Sequence, residues 1–386
     1  MALYDFVSRE SSKGLLKVMK DNKWGLIKED DYTEVVEPTW DSEPDFKEDY
    51  IIVKHQDKYG AIDENGKEII PINNKHLDVI AKDRLWVWNF DDKIGVLDFK
   101  GNVLVPLKYT FLQVFDDEHI IVEHESSIGM IDINNNVLLP FEYTYILFDT
   151  NSSMFECRKP SGLCGLINMD MKEVVPFEYN SLFFYGDYIV AVKKNKKAVY
   201  DLNGNKLIDP VECKRIWPAC EGYFIVSNED ALQGIIKVDG NIVAKPIYEE
   251  IKYLGEGLFG ACKQTVSGSS SPRTMKIGII DFEGNERLPF KYTSVEEFRN
   301  GFSKIVLDGK VGVINTKCKV TVPFKYTNLK YTGDNKYFVA KKSEKWGIIT
   351  SRGEELTPFI YDEVFDVKWQ GIATVEYKGI KGKVIL

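Results

Sequence analysis

Hydrophobic positions along the chain fall in short runs that are rich in β-branched and aromatic residues and bounded by turn residues. The segments 136–140, 188–193, 345–349 and 371–376 are typical. No stretch keeps the period of about 3.6 residues that an amphipathic helix requires. We therefore predict an all-β protein built from short strands.

These runs repeat along the chain. One glycine recurs at a spacing of about 35 residues, which is typical of arrays of supersecondary units, and Ala198 occupies the one vacant place in the series. The marker glycines are Gly25, Gly60, Gly95, Gly129, Gly165, Gly234, Gly278, Gly312, Gly347 and Gly382. The sequence therefore predicts about eleven tandem β-meander or hairpin repeats.

Proline follows the same spacing, and a tyrosine often stands three residues after it. The prolines are Pro38, Pro71, Pro106, Pro140, Pro176, Pro210, Pro246, Pro289, Pro323 and Pro358, and the tyrosines are Tyr109, Tyr143, Tyr179, Tyr292, Tyr326 and Tyr361. Two markers in phase over nearly the whole chain support the repeat assignment.

Each unit is predicted to hold three short strands, and the segment around the tyrosine could add a fourth. The marker glycine lies in the second strand, and the third ends at the proline, which lacks the N–H that a ladder needs. Turns of the form Asp-x-x-Gly, as at Asp98, Asp201 and Asp281, join these strands. Their glycine should take a positive φ.

A glycine inside a strand indicates a bulge or the close approach of another group. We expect the marker glycines to lie where one unit meets the next, so that an added Cβ would disturb that contact. The glycines assigned this structural role are Gly60, Gly95, Gly129, Gly278, Gly312 and Gly347.

The Lys-Trp-Gly triplets at 23–25 and 345–347 resemble the WG (or KWG) repeat family of bacterial proteins. The resemblance covers about residues 15–386, although Cys164, Gln233 and Lys381 stand in the tryptophan position of their units. It implies tandem β-repeats with no established catalytic residues. It therefore identifies a building block rather than a reaction.

A unit of this length is short for a propeller blade, and eleven units exceed the usual number of blades. A curved or superhelical array is therefore expected, with a closed propeller-like ring as the alternative. Residues 1–14 form a predicted N-terminal cap, and 15–386 form one continuous repeat domain. The long interval from Gly234 to Gly278 predicts a Ser/Gly-rich surface loop at 264–275.

Composition narrows the range of functions. The 386 residues carry a net charge of -9, which gives no attraction to nucleic acid, and no apolar run is long enough for a membrane helix. The N-terminus shows no secretory pattern. Six cysteines without a Cys-x-x-Cys pair indicate reduced, mostly buried thiols. We expect a cytoplasmic location.

Motifs for catalysis are missing. The four histidines lack metal-ligand spacing, and no nucleophile elbow, phosphate loop or dinucleotide fingerprint occurs. Acidic Asp-x-x-Gly turns such as 63–66 could be calcium loops, but Asn168 and Asn315 in matching turns favour plain hairpins. We expect no enzyme activity, no catalytic residue, no metal and no cofactor.

One acidic segment departs from the repeat pattern. Residues 29–49 hold ten acids and one base, together with three aromatic residues. It is a candidate docking site for a protein partner, and the charge favours a basic one. The alternative is a solvated face of the first repeat. The candidate residues are Asp30, Asp31, Glu34, Trp40, Asp41, Glu43, Asp45 and Phe46.

These observations favour a non-enzymatic protein–protein interaction scaffold or adaptor. The alternative is a carbohydrate or cell-envelope ligand binder that uses exposed aromatic side chains. Its candidates are Trp86, Trp88, Trp217 and Trp369, for which core packing is the preferred interpretation.

Overall fold

A computed structural model describes residues 3–8, 12–47, 50–81, 84–116, 118–265, 274–333, 336–368 and 370–386. The chain divides into two compact bodies, Met1–Tyr179 and Asn180–Leu386. The segment 266–273, most of the predicted surface loop, lies outside the described residues, and so does Trp369.

The described residues form eleven antiparallel sheets in chain order and no helix, which confirms the predicted fold class of about eleven tandem β-repeats. In the N-terminal body they are sheet 1 with β1 (Phe6–Val7), β2 (Leu15–Lys20), β3 (Lys23–Lys28) and β4 (Glu34–Trp40); sheet 2 with β5 (Asp45–Phe46), β6 (Ile51–His55), β7 (Lys58–Ile62) and β8 (Glu68–Asn74); sheet 3 with β9 (His76–Ala81), β10 (Arg84–Trp88), β11 (Ile94–Asp98) and β12 (Val103–Tyr109); sheet 4 with β13 (Phe111–Val114), β14 (Ile120–His124), β15 (Ser127–Ile131) and β16 (Val137–Tyr143); and sheet 5 with β17 (Tyr145–Asp149), β18 (Met154–Arg158), β19 (Cys164–Asn168) and β20 (Glu173–Tyr179).

The C-terminal body continues the series. Its sheets are sheet 6 with β21 (Ser181–Tyr185), β22 (Tyr188–Lys193), β23 (Lys196–Asp201) and β24 (Lys206–Glu212); sheet 7 with β25 (Arg215–Cys220), β26 (Tyr223–Ser227), β27 (Gln233–Lys237) and β28 (Ile242–Tyr248); sheet 8 with β29 (Glu250–Gly255), β30 (Leu258–Thr265), β31 (Thr274–Asp281) and β32 (Glu286–Tyr292); sheet 9 with β33 (Ser294–Val295), β34 (Phe302–Leu307), β35 (Lys310–Asn315) and β36 (Val320–Tyr326); sheet 10 with β37 (Asn328–Tyr331), β38 (Tyr337–Lys342) and β39 (Lys345–Thr350); and sheet 11 with β40 (Glu363–Val367), β41 (Ile372–Tyr377) and β42 (Ile380–Ile385).

The proline does not end its strand, so that prediction is wrong. We call the fourth and last strand of each four-stranded sheet its outer strand. In sheet 4 this is β16, which runs from Val137 through Pro140 to Tyr143. Met130 pairs with Leu139, but Ile128, two residues away, pairs with Tyr143. The outer strand therefore carries two extra residues in a bulge. Proline is tolerated there because a bulged edge strand leaves some N–H groups outside the ladder.

The marker glycine lies beneath this bulge, in the same sheet. A Cβ on Gly129 would stand 2.9 Å from the Leu139 carbonyl oxygen and 3.0 Å from the Phe141 ring. A Cβ on Gly278 would meet the carbonyl oxygen of Leu288 and the ring of Phe290, both at 2.9 Å. Gly60, Gly95 and Gly312 have the same kind of close contact with the last strand of their own sheet, and Gly347 contacts Phe359 in the segment that directly follows sheet 10. The expected contact with the next repeat unit is therefore wrong for these glycines.

The glycine of the Asp-x-x-Gly turn is the one that approaches a neighbouring sheet. A Cβ on Gly101, in sheet 3, would lie 2.6 Å from the carbonyl oxygen of Ile69 in sheet 2. Gly101 has a φ of 80°, and the same turn position keeps a positive φ where Asn135 or Cys318 occupies it. The predicted turn geometry is confirmed, and it also brings consecutive sheets together.

Apolar side chains fill the space between consecutive sheets within each body. Leu26 of sheet 1 packs with Val53 of sheet 2, and Val96 of sheet 3 packs with Ile120 of sheet 4. Similar clusters join sheets 2 to 3 and 4 to 5, and each consecutive pair from sheet 6 to sheet 11. Since a lone four-stranded sheet has nothing to cover its apolar face, neighbouring repeats supply that cover.

An aromatic ladder runs along these interfaces. The tyrosine that ends one outer strand packs against the phenylalanine that follows the proline of the next sheet. Aromatic pairs with ring centres 4.5–7 Å apart contribute about 0.5–1.5 kcal/mol beyond burial. The pairs are Tyr109–Phe141, Tyr143–Phe177, Tyr248–Phe290, Tyr292–Phe324 and Tyr326–Phe359, with ring centres 5.6–6.1 Å apart.

Substituting the marker glycine should destabilise the fold only where a bulged segment covers it. Gly278→Val should lower the free energy of unfolding by about 1–3 kcal/mol, because backbone must move to admit the side chain. Gly382→Val is the matched control, since Gly382 has the same place in sheet 11 but a Cβ there meets no atom within 4 Å. Chemical denaturation followed by circular dichroism measures both. Equal stability of the two variants would contradict the assigned contact.

Candidate binding surface

The acidic segment begins at the exposed turn between β3 and β4. Asp30 and Asp31 project into solvent, and the hydrogen bond from Thr33 holds the pKa of Asp31 below its usual value. Glu34 accepts a hydrogen bond of 3.0 Å from the Tyr4 hydroxyl. This turn therefore presents carboxylates to solvent, and part of its charge is engaged with the chain itself.

Trp40 does not belong to that surface, and its assignment as a binding residue is wrong. Its side chain is 3% exposed and packs in the cluster between sheets 1 and 2 with Leu26 and Val53. It also pairs across the ladder with Trp24. Trp40 stands in the position that tyrosine holds in other units, which explains why it is part of the core.

The remaining candidate acids are paired with lysines of the same chain. The ion pairs are Lys23–Asp41, Lys17–Glu43 at 2.7 Å and Lys47–Asp45 at 2.7 Å. The Lys17 ammonium also stands 5.3 Å from the centre of the half-buried Phe46 ring. These contacts reduce the charge that the segment offers to a partner. Glu48 and Asp49 lie outside the described residues.

A second kind of surface lies on the first strands of consecutive sheets. In the N-terminal body, β13 exposes Phe111, and β17 exposes Tyr145 and Leu147. Leu147 is half exposed, although its neighbour Ile146 is buried in the core. This alternation places apolar side chains on the solvent side of edge strands, where folding does not require them.

Sheet 6 carries a groove of about 400 Å³ that extends to the start of β25. Phe183 and Tyr185 form one wall and are 50% and 38% exposed. Val190 and Val192 of the paired strand β22 also line it, and Val190 is buried. The groove therefore offers an apolar surface that is open to solvent.

Three cations border this groove, and none of its lining residues is acidic. Lys197 donates a hydrogen bond to the Cys213 carbonyl oxygen, and Lys214 donates one of 3.3 Å to the carbonyl oxygen of Glu229. The Arg215 guanidinium lies 5.2 Å from the centre of the Trp217 ring. Among the described residues, no carboxylate forms an ion pair with any of the three.

The groove occurs where the repeat consensus fails. Lys197 stands in the tryptophan position and Ala198 in the glycine position. In this sheet Val199 pairs with Ile208 and Lys197 with Val211, so the outer strand has one extra residue instead of two. We attribute the smaller bulge to the Cβ of Ala198, because a glycine is needed for the closer approach.

A neighbouring cavity of about 170 Å³ lies between β24 and sheet 7. Cys213, which replaces the ladder tyrosine, lines it together with Ile236 and Ala244. The buried Ser227 hydroxyl also lines it and has no hydrogen-bond partner. Loss of the tyrosine ring therefore leaves space at this interface. This irregular interface could have been predicted from the sequence, because Ala198 and Cys213 interrupt the glycine and tyrosine series.

The cysteines form no disulfide, and five of the six are buried. Burial raises the pKa of Cys157 to about 12 and that of Cys220 to about 11, with smaller contributions from the charges of Glu156 and Glu221. The expectation of mostly buried thiols is confirmed. Within the described ranges no three His, Cys, Asp or Glu side chains converge as metal ligands.

Among the tryptophans considered for sugar binding, the three that the structure describes are not open platforms. Trp86 and Trp88 are half-buried; His76 packs against Trp86, and Lys75 lies 4.2 Å from the centre of the Trp88 ring. Trp217 is half-buried beneath Arg215. In the part of the chain that the structure describes, no helix has the length and apolar character needed to cross a bilayer.

The sheets and their shared turn define a tandem β-repeat protein. The family model described as "WG containing repeat" matches residues 128–154, 165–197, 234–264, 277–310, 312–346 and 346–379, half of the chain. The chain belongs to the WG repeat family. No curated protein matches the sequence.

Solved structures show a weak similarity. One titled "Crystal structure of the eukaryotic initiation factor" is 11% identical, with 90% of this chain and 96% of that chain covered and a TM-score of 0.28. The WD40 β-propeller domain of Doa1 is 11% identical, with 61% and 90% covered and a TM-score of 0.22. Neither ring closure nor function follows from scores this low.

Substitution of Trp40 tests whether its side chain belongs to the core or to a binding surface. Trp40→Ala should lower the free energy of unfolding by about 3–5 kcal/mol, because it leaves a cavity between sheets 1 and 2. Tyr32→Ala is the control, since this nearby side chain is 69% exposed. Denaturant titration compares the two variants. A native-like stability for Trp40→Ala would place the ring outside the core.

Thiol reactivity tests the burial of the cysteines. Because burial raises the pKa, the neutral thiol dominates at pH 8, and only about one Cys157 in ten thousand is thiolate if its pKa is about 12. Iodoacetamide should therefore leave Cys157 unmodified in the folded protein and label all six cysteines in denaturant. Mass spectrometry of peptides gives the result, and rapid native labelling at Cys157 would contradict it.

Proposed function

We propose that this protein is a non-enzymatic protein–protein interaction scaffold or adaptor. The observation that carries the proposal is the row of exposed apolar side chains on first strands, Phe111, Tyr145 and Leu147. Leaving large apolar side chains in solvent contributes nothing to the core, whereas burying them against a partner is favourable by about 25 cal/mol per Å².

The repeat architecture supports the same proposal. Consecutive sheets present equivalent strands, so a partner can contact several repeats at once. The turn carboxylates offer little for catalysis, because Asp98 already accepts hydrogen bonds from the backbone N–H groups of Lys100 and Asn102. Burial opposes ionisation of Asp98, but the hydrogen bond from the Asn102 side-chain amide and these two backbone bonds together outweigh it and lower the pKa of Asp98.

We further propose a protein partner and a cytoplasmic site of action. Unpaired, mostly buried thiols support this location. The acidic turn at Asp30 and Asp31 remains a candidate contact for a basic partner, whereas the ion pairs of Asp41, Glu43 and Asp45 make those residues weaker candidates.

Affinity capture tests the proposal. The immobilised full-length protein is incubated with extract of its source cells, and bound proteins are identified by quantitative mass spectrometry. We expect a reproducible set of partners whose recovery falls about tenfold in the variant Phe111→Ser, Tyr145→Ser, Leu147→Ser, since a few apolar anchors dominate most interfaces.

A control variant distinguishes this surface from general hydrophobicity. Val103→Ser, Val137→Ser removes two other exposed apolar side chains of the same body, at the starts of β12 and β16. This variant should retain the partners. The proposal is wrong if no protein is enriched over a blank matrix, or if all three forms capture the same proteins equally.

A further inference from the structure

We infer that the groove on sheet 6 binds an acidic peptide segment of a partner protein, one that carries an aromatic side chain. This inference deepens the proposed function and rests on it, because it specifies the chemistry of one partner. The site lies in the C-terminal body and shares no residue with the exposed row at Phe111, Tyr145 and Leu147.

The shape of the groove suits one apolar side chain. Its volume of about 400 Å³ falls within the range of about 300–1,000 Å³ typical of ligand pockets. Phe183 and Tyr185 project from the same face of β21, and Phe183 lies across the ladder from Val190. A phenyl ring placed here would contact both the aromatic wall and the aliphatic floor.

The charge of the groove selects an acidic segment. The cationic side chains of Lys197, Lys214 and Arg215 border it. The two lysines donate hydrogen bonds to neutral backbone carbonyl oxygens. The positive charge is therefore not neutralised within the groove. The groove is cationic although the chain as a whole carries a net charge of -9. Carboxylates are the peptide groups that complement it.

The position of β21 suits an extended segment. It is the first strand in the order β21–β22–β23–β24, so only one of its sides is paired within the sheet. A peptide in extended conformation can lie alongside such an edge and direct a side chain into an adjoining pocket. Shape, charge and strand position therefore agree on the same class of ligand.

Fluorescence anisotropy with synthetic peptides tests the inference. The probe is a fluorescein-labelled glutamate-rich peptide with one central phenylalanine, titrated with the full-length protein at low salt. We expect saturable binding that weakens as salt rises. Replacing the probe's glutamates by lysine should abolish binding, and replacing its phenylalanine by serine should weaken it about tenfold.

Variants locate the binding on the protein. Lys214→Glu, Arg215→Glu should raise the dissociation constant at least about tenfold, because it replaces attraction by repulsion. Lys317→Glu, Lys319→Glu changes the net charge equally at an exposed turn of sheet 9 outside the groove and should bind like the wild type. Circular dichroism melting verifies that both variants fold. Phe183→Ser should weaken binding of the phenylalanine probe but have less effect on the serine probe.

The outcomes separate this inference from the scaffold proposal. Absence of probe binding, or equal loss in both charge variants, overturns the acidic-peptide site. If affinity capture still depends on Phe111, Tyr145 and Leu147 in that case, the scaffold proposal stands without it. Probe binding together with a capture experiment that enriches no protein would support the peptide-binding chemistry of the groove and overturn the scaffold proposal from which its role in binding a partner is taken.

Discussion

The close approach of a bulged segment to the marker glycine is the contact on which the repeat geometry depends. In sheet 4 the carbonyl oxygen of Leu139 and the ring of Phe141 occupy the space that a Cβ on Gly129 would need. The two extra residues of the bulge bring Tyr143 opposite Ile128 and direct the chain into the next sheet. A residue without a side chain therefore controls where the aromatic residues of the unit lie.

The second constraint connects neighbouring repeats. Tyr143 packs against Phe177 of the following sheet, and the turn at Gly101 rests on the backbone of Ile69 in the preceding one. Both contacts join consecutive sheets, as do the apolar clusters of each body. Stability of such a fold is approximately a sum of local and nearest-neighbour terms, so one repeat can diverge while the others keep their packing.

Much of the fold could be predicted from the sequence because periodic markers report local geometry. The residue types at Gly101 and Pro140 alone are enough to predict a turn at the first and an outer strand at the second. The continuation of β16 past Pro140 could not be inferred, since it depends on a bulge that forms only when two strands pair. The burial of Trp40 was missed because the surrounding acids suggested a solvent-exposed face, whereas its register position is that of the core tyrosine.

The same reasoning explains why a binding groove arises where the consensus is lost. Trp24, the matching residue in sheet 1, packs with the core cluster, whereas Lys197 in sheet 6 borders open space. Ala198 shortens the bulge, and Cys213 replaces the ladder tyrosine, so the interface between sheets 6 and 7 lacks that ring of the aromatic ladder. Because each sheet packs only against its neighbours, the loss of packing energy is confined to sheets 6 and 7. A repeat array can therefore gain a pocket at one unit while the remaining units keep the fold.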